Sequence, residues 1–183
     1  MPEIIIISGK GGTGTTSLTA AFAHMAAGAV ICDLDVDAPD LHLILRPEIK
    51  VREDFHSGHE AVIDPAACTA CGLCAEMCRF GAVSNPPTGY RIDPLKCEGC
   101  KVCVQFCPAA AIRFPDRHCG EWYISSTRFG PMVHAQLFPG AENSGRLVAL
   151  LRQKARDLAR ESARSRSLSD GAPGVGCPGI SSL

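Results

Sequence analysis

Residues 4–17 read Ile-Ile-Ile-Ile-Ser-Gly-Lys-Gly-Gly-Thr-Gly-Thr-Thr-Ser. The apolar run Ile4 to Ile7, ending at Ser8-Gly9, has the pattern of a buried parallel strand that feeds a glycine-rich turn. From Thr16 to Ala27, Leu18, Ala21, Phe22, Met25 and Ala26 recur at helical spacing, and Gly28 supplies a C-terminal stop. Ala29 to Cys32 are expected to form a second buried strand. That strand delivers Asp33, Asp35 and Asp37 to its C-terminal end, the edge at which open α/β sheets place their ligands. Strand, turn, helix and strand make a βαβ unit, which sets the fold class as α/β with a mostly parallel sheet.

The segment Gly9, Lys10, Gly11, Gly12, Thr13, Gly14, Thr15, Thr16, Ser17 sits where a phosphate-binding loop must sit, between strand and helix. Glycines let successive N–H groups turn toward a phosphate at the positive end of a helix. In that reading the Thr16 hydroxyl ligates Mg²⁺ and ATP is the cofactor. One element differs: the G-x4-G-K-[ST] pattern has a lysine just before the hydroxyl residue, and this chain has Thr15 there. A lysine-to-phosphate hydrogen bond is worth about 1.5–3 kcal/mol. Its loss weakens nucleotide binding by roughly one to two powers of ten. Without a ligand, the same residues are a plain strand-to-helix turn, and Asp33 to Asp40 a solvated acidic loop.

Further along, Cys68-x2-Cys71-x2-Cys74-x3-Cys78 is followed by Cys97-x2-Cys100-x2-Cys103-x3-Cys107-Pro108. This is the two-cluster bacterial ferredoxin run written twice. Three thiolates at that spacing wrap one face of a [4Fe-4S] cubane, while the fourth reaches the other cluster. One cluster is therefore expected to take Cys68, Cys71, Cys74 and Cys107, and the second Cys97, Cys100, Cys103 and Cys78. A segment this short buries little apolar surface, so the clusters must act as its core. Paired zinc sites have no use for the regular third and fourth positions of both copies. Arg79 stands where the run usually has proline, which shapes the chain and ligates nothing. Cys32, Cys119 and Cys177 fall outside the pattern and read as incidental or buried thiols.

The character of the chain changes at both ends of this repeat, giving an inserted domain over 61–115 and an α/β domain over 1–60 and 116–183. Glu121 to Ser126 and Pro131 to Phe138 read as strands, and Asn143 to about Ala163 as a helix with Leu147, Val148, Leu150, Leu151 and Leu158 on its apolar side. Arg152, Lys154, Arg156, Arg160, Arg164 and Arg166 alternate with Asp157 and Glu161, the pattern of a solvated helix face. Arg164 to Ser169 has one apolar residue, Leu168, so no strand is expected there and Asp170 is not expected to be held in place.

Composition bounds the functional classes. A net charge of −1 and 46% apolar residues over 183 positions describe a globular protein with no electrostatic reason to bind nucleic acid or anionic membrane. Eleven cysteines would suit a secreted disulfide scaffold, but the start Met-Pro-Glu lacks the basic and long apolar regions of a signal peptide. The expected compartment is the reducing cytoplasm. No apolar run approaches the roughly 20 residues that span a bilayer.

Together, Lys10 in the Lys-Gly-Gly-x-Gly loop, Asp33-x-Asp35 after the second strand, the cysteine repeat and Asp170-Gly-Ala-Pro-Gly174 resemble the deviant Walker A (MinD/ParA-type) P-loop ATPases, in particular members with an inserted dicluster ferredoxin domain. The resemblance covers most of the chain. It implies a P-loop, MinD-like sheet with an inserted α+β ferredoxin-like domain, and ATP hydrolysis coupled to electron transfer through the clusters. It also implies a nucleotide-dependent homodimer or paralogous heterodimer, with a redox protein as a further partner. Lys10 would reach across to the partner's nucleotide, Asp33 or Asp35 would hold metal or orient the attacking water, and Asp170 would complete the metal's surroundings. The alternative is a dicluster electron carrier or cluster-handling protein with a silent nucleotide site, which Thr15 favours. The family continues with further strands after Asp170, so an unfinished sheet with an open edge and uncovered apolar surface is expected.

Overall fold

The computed structural model describes residues 2–26, 28–141, 144–174 and 176–182, with the backbone alone at Cys177 and Pro178. In chain order its elements are β1 (Glu3–Ile6), α1 (Thr15–Met25), β2 (Val30–Asp33), α2 (Leu41–Leu45), β3 (Glu48–His59), β4 (Val62–Ile63), α3 (Leu73–Met77) and β5 (Val83–Ser84). Then follow β6 (Arg91–Ile92), α4 (Val102–Gln105), β7 (Ile112–Arg113), β8 (Asp116–Ser126), β9 (Pro131–Leu137), α5 (Ser144–Glu161), β10 (Ser167–Asp170) and α6 (Cys177–Ser182). The chain divides into two compact units, Met1–Phe55 with Cys119–Leu183, and His56–His118.

The first unit is a mixed α/β structure around a sheet with strand order β1-β10-β2-β9-β8-β3. β1, β10, β2 and β9 run parallel, and β8 pairs antiparallel with β9. α5 covers one face, burying Leu147, Val148 and Leu151 with Val30, Leu34 and Val133. On the other face Ala23 of α1 and Leu41 and Leu45 of α2 bury Ile31, Met132 and Leu168. Parallel neighbours leave the C-terminal ends of β1, β10 and β2 side by side, beneath the start of α1.

Four readings of the sequence change here. Ser167–Asp170 is a strand, fully buried between β1 and β2, although three of its four residues are polar. Serine side chains are small enough for a central position, and the backbone supplies the pairing that apolar composition usually announces. β1 is not buried but ends the sheet, with Ile4 48% exposed. The stripe Leu18, Phe22 and Met25 of α1 is exposed too, and the helix buries Thr19 and Ala23 instead. Arg152 is not a solvated charge: Nε and Nη2 donate to the two Glu3 carboxylate oxygens at 3.1 and 3.0 Å, and Arg156 Nη2 adds a third bond at 3.1 Å. The strand over Glu48–His59 carried no signal, since it is charged and exposed nearly throughout, as suits the outer position of β3.

The second unit is built from the cysteine repeat, whose counterparts lie 29 positions apart (97 − 68). β4 of the first copy pairs with β7 of the second, and β5 of the first pairs with β6 of the second, both antiparallel. The same crossing appears in Asp64 N–H donating to Ala111 C=O and Asp93 N–H to Ala82 C=O, each at 2.8 Å. The unit is therefore an internally twofold structure in which each half completes the other.

Candidate functional site: paired cysteine cavities and an acidic sheet edge

Eight cysteines of the second unit line two small cavities. Cys68, Cys71 and Cys74 of the first copy meet Cys107 of the second around one of them. Cys97, Cys100 and Cys103 meet Cys78 around the other. The exchange follows from the strand pairing just described, which carries the end of each copy to the start of the other. Short helices set the inner cysteines: α3 carries Cys74 and α4 carries Cys103. Burial pushes both of these thiols above the ordinary range, with the neighbouring cysteines adding to it. Binding a metal as thiolates must therefore release protons to solvent. Ala111 N–H donates to Cys107 Sγ at 3.3 Å, the kind of contact that tunes a cluster's potential. All eight are free thiols, as are the buried Cys32 and Cys119; the side chain of Cys177 lies outside those described.

A second group of residues gathers at the sheet edge of the first unit. Gly12 and Gly14 have left-handed φ of 77° and 85°, and a Cβ at Gly9, Gly11, Gly12 or Gly14 would meet nothing within 4 Å. The loop is thus exposed beside the start of α1, with open space around its glycines. Lys10 is exposed, Thr15 and Thr16 are half-buried, and Ser17 is exposed. Asp170 is held in place, contrary to the reading of a polar segment: it ends β10, is 1% exposed, and accepts hydrogen bonds from Thr16 and, at 3.1 Å, from Thr19 Oγ1. Its backbone C=O accepts from Leu34 N–H at 2.8 Å. Asp33, also 1% exposed, accepts from Asp35 N–H at 3.1 Å and Leu41 N–H at 3.3 Å.

Electrostatically this edge is unfavourable without a cation. Burial, and then the Asp170 charge, push the Asp33 carboxyl well above the usual carboxylate range. Burial pushes Asp35 up to about 6, with Asp170 adding to it. Asp170 is raised by its own burial, against the Thr16 and Thr19 hydrogen bonds that lower it. Three carboxylates that repel one another beside two hydroxyls gather oxygen donors of the kind a hard cation takes. Thr19 was missed in the sequence, although it lies one turn after Thr16 on the same helix face.

Residues 61–84 and 90–113 each match the 4Fe-4S binding domain family (Fer4). These matches and the clustered cysteines fit two [4Fe-4S] clusters, and they support an iron–sulfur electron-carrier role. The chain is 33% identical over 185 residues to the uncharacterized protein MJ0578 of Methanocaldococcus jannaschii, a match that covers 99% of this chain and 63% of that protein. The chain thus spans less than two thirds of that relative's length. Among the described residues, no helix is long and apolar enough to cross a membrane.

Proposed function

We propose that the chain is an iron–sulfur, P-loop ATPase-like protein in which binding of Mg-ATP by the α/β unit is coupled to electron transfer through two [4Fe-4S] clusters. The observation that carries the electron-transfer half is the exchange of one cysteine between the two cavities. Cys68, Cys71, Cys74 and Cys107 hold one cluster, and Cys97, Cys100, Cys103 and Cys78 hold the other. The clusters supply one-electron chemistry; the protein's part is to place eight thiolates, exclude water with the apolar walls and donate N–H bonds to sulfur. The nucleotide half is supported by the loop from Gly9 to Ser17, with Thr16, Asp33, Asp35 and Asp170 at its foot. There Thr16 holds Mg²⁺, Asp170 orients Thr16 and Thr19, and Asp33 and Asp35 position the cation and an attacking water. Lys10 is the one loop cation for phosphate, and its resemblance-based role needs a second subunit, a copy or a paralogue. Cytoplasmic residence and a separate redox protein as electron partner belong to the same reading.

Thr15 favours a second reading, an electron carrier whose nucleotide site is silent, because a neutral hydroxyl replaces the ammonium that usually grips the phosphates.

Exchange of the fourth ligand is tested by Cys107→Ser. Iron and sulfide content is expected to fall to about half, with one cluster signal retained, because only one cavity loses a thiolate. Retention of both clusters would remove Cys107 from the ligand set, and with it the exchange.

A further inference from the structure

The internal repeat lets each cavity serve as the other's control. Backbone counterparts agree: left-handed φ recurs at Ala70 (54°) and Gly99 (61°), at Gly72 (84°) and Lys101 (67°), and at Gly81 (62°) and Ala110 (49°). Side chains break the symmetry in a correlated way. Tyr90 lines the first cavity, and a Cβ on Gly72 would lie 3.1 Å from its hydroxyl oxygen, so glycine is kept there. The counterpart of Tyr90 is Ala61 (90 − 29), which lines the second cavity and leaves room that Tyr90 fills in the first. The counterpart of Gly72 is Lys101, a long cation held in the left-handed region that glycine adopts without strain. Unlike Ala70 and Ala110, the other left-handed residues whose counterparts are glycine, Lys101 brings a charge to this position. Lys101 lines the cavity of Cys97, Cys100, Cys103 and Cys78, and its ammonium lies 5.6 Å from the centroid of Phe114, another wall residue. Among the described residues, no Lys, Arg, Asp or Glu lines the first cavity.

We propose that Lys101 tunes one cluster and not the other: its positive charge stabilises the more negative, reduced state of the cluster in the second cavity and raises the potential of that cluster alone. The inference rests on the two-cluster reading given above. The physical basis is Coulombic, since reduction adds one negative charge beside a fixed ammonium. Glu98 lines the same wall with the opposite sign and works against Lys101. The Phe114 ring keeps the ammonium at the wall by a cation–π contact.

The test is a redox titration of the cluster-loaded full chain, followed by electron paramagnetic resonance, with iron and sulfide assayed in the same samples. Lys101→Gly suits the left-handed backbone and retains the fold. It is expected to move one midpoint potential to a more negative value and leave the other in place. The potential that moves is the one that survives in Cys107→Ser. Lys101→Arg keeps the charge and is expected to leave both unchanged, whereas Glu98→Gln moves the same potential positive. A structural role alone would alter unfolding and neither potential. Unmoved potentials in a loaded Lys101→Gly chain, or equal movement of both, would overturn the assignment to Lys101. Wild-type chain that fails to take up two four-iron clusters overturns the two-cluster reading itself, and this inference with it.

Discussion

Asp35 shows how a single side chain reports on the site. Its carboxyl is pushed up to about 6 from 3.8, by burial first and by Asp170, Asp37 and Asp40 in addition. A carboxyl raised in the folded state contributes stability that is full below about pH 4 and is lost as pH rises through about 6. Asp33 and Asp170 are raised as well and act in the same direction. The urea midpoint of wild-type chain is therefore expected to fall across that window, and Asp35→Asn to flatten the fall. An equally steep fall in the variant would show that Asp35 is not one of the responsible groups. The eight cysteines, and Asp33 and Asp35 after the second strand, could be singled out as candidates in the sequence because their spacing is local; the burial of Asp170 could not. Nor could Thr19 and Tyr90, because the first matters only once β10 brings Asp170 beside α1, and the second only once the two copies exchange their ends.

Among the elements, α5 and β1 are tied by one ionic cluster. Burial alone would raise the Glu3 carboxyl, but Arg152 and Arg156 hold it below its usual range. Arg152 also donates to the Ser181 carbonyl at 3.0 Å, so one guanidinium joins β1, α5 and α6. Removing it with Arg152→Ala is expected to cost about 1.5–3 kcal/mol in chemical denaturation. A loss within a few tenths of a kcal/mol would mean that solvent replaces these bonds at no cost. Glu3 has the opposite pH slope from Asp35: a depressed carboxyl loses its contribution as pH falls below the ordinary carboxylate range. At this scale the sequence was a partial guide. β2, β8, β9 and α5 follow apolar periodicity and could be read directly. β10 could not, because a central strand of serine, leucine, serine and aspartate carries no apolar run. β3 could not either, because an outer strand is free to be charged. Ser169 Oγ in β10 is buried with no hydrogen-bond partner among the described residues, which is the local cost of so polar a central strand.

At the scale of the whole molecule, one chain carries two units: a mostly parallel sheet with buried carboxylates beside a glycine loop, for which we propose Mg-ATP, and a twofold cysteine unit suited to two clusters. The fold class, the repeat and the exchanged cysteines follow from the sequence. The carriage of Asp170 by a buried strand was visible only in three dimensions. Coupling between the chemistries is the central claim, and it requires the clusters to sense the nucleotide. The most direct test is the pair of midpoint potentials of the cluster-loaded chain, measured with and without Mg-ATP, in wild type and in Thr15→Lys. The account predicts that Mg-ATP shifts at least one potential in wild type, and does so at lower nucleotide concentration in Thr15→Lys, where the phosphate-binding ammonium returns. Potentials that do not respond to Mg-ATP in either chain would contradict the coupling and leave an electron carrier on a silent nucleotide fold.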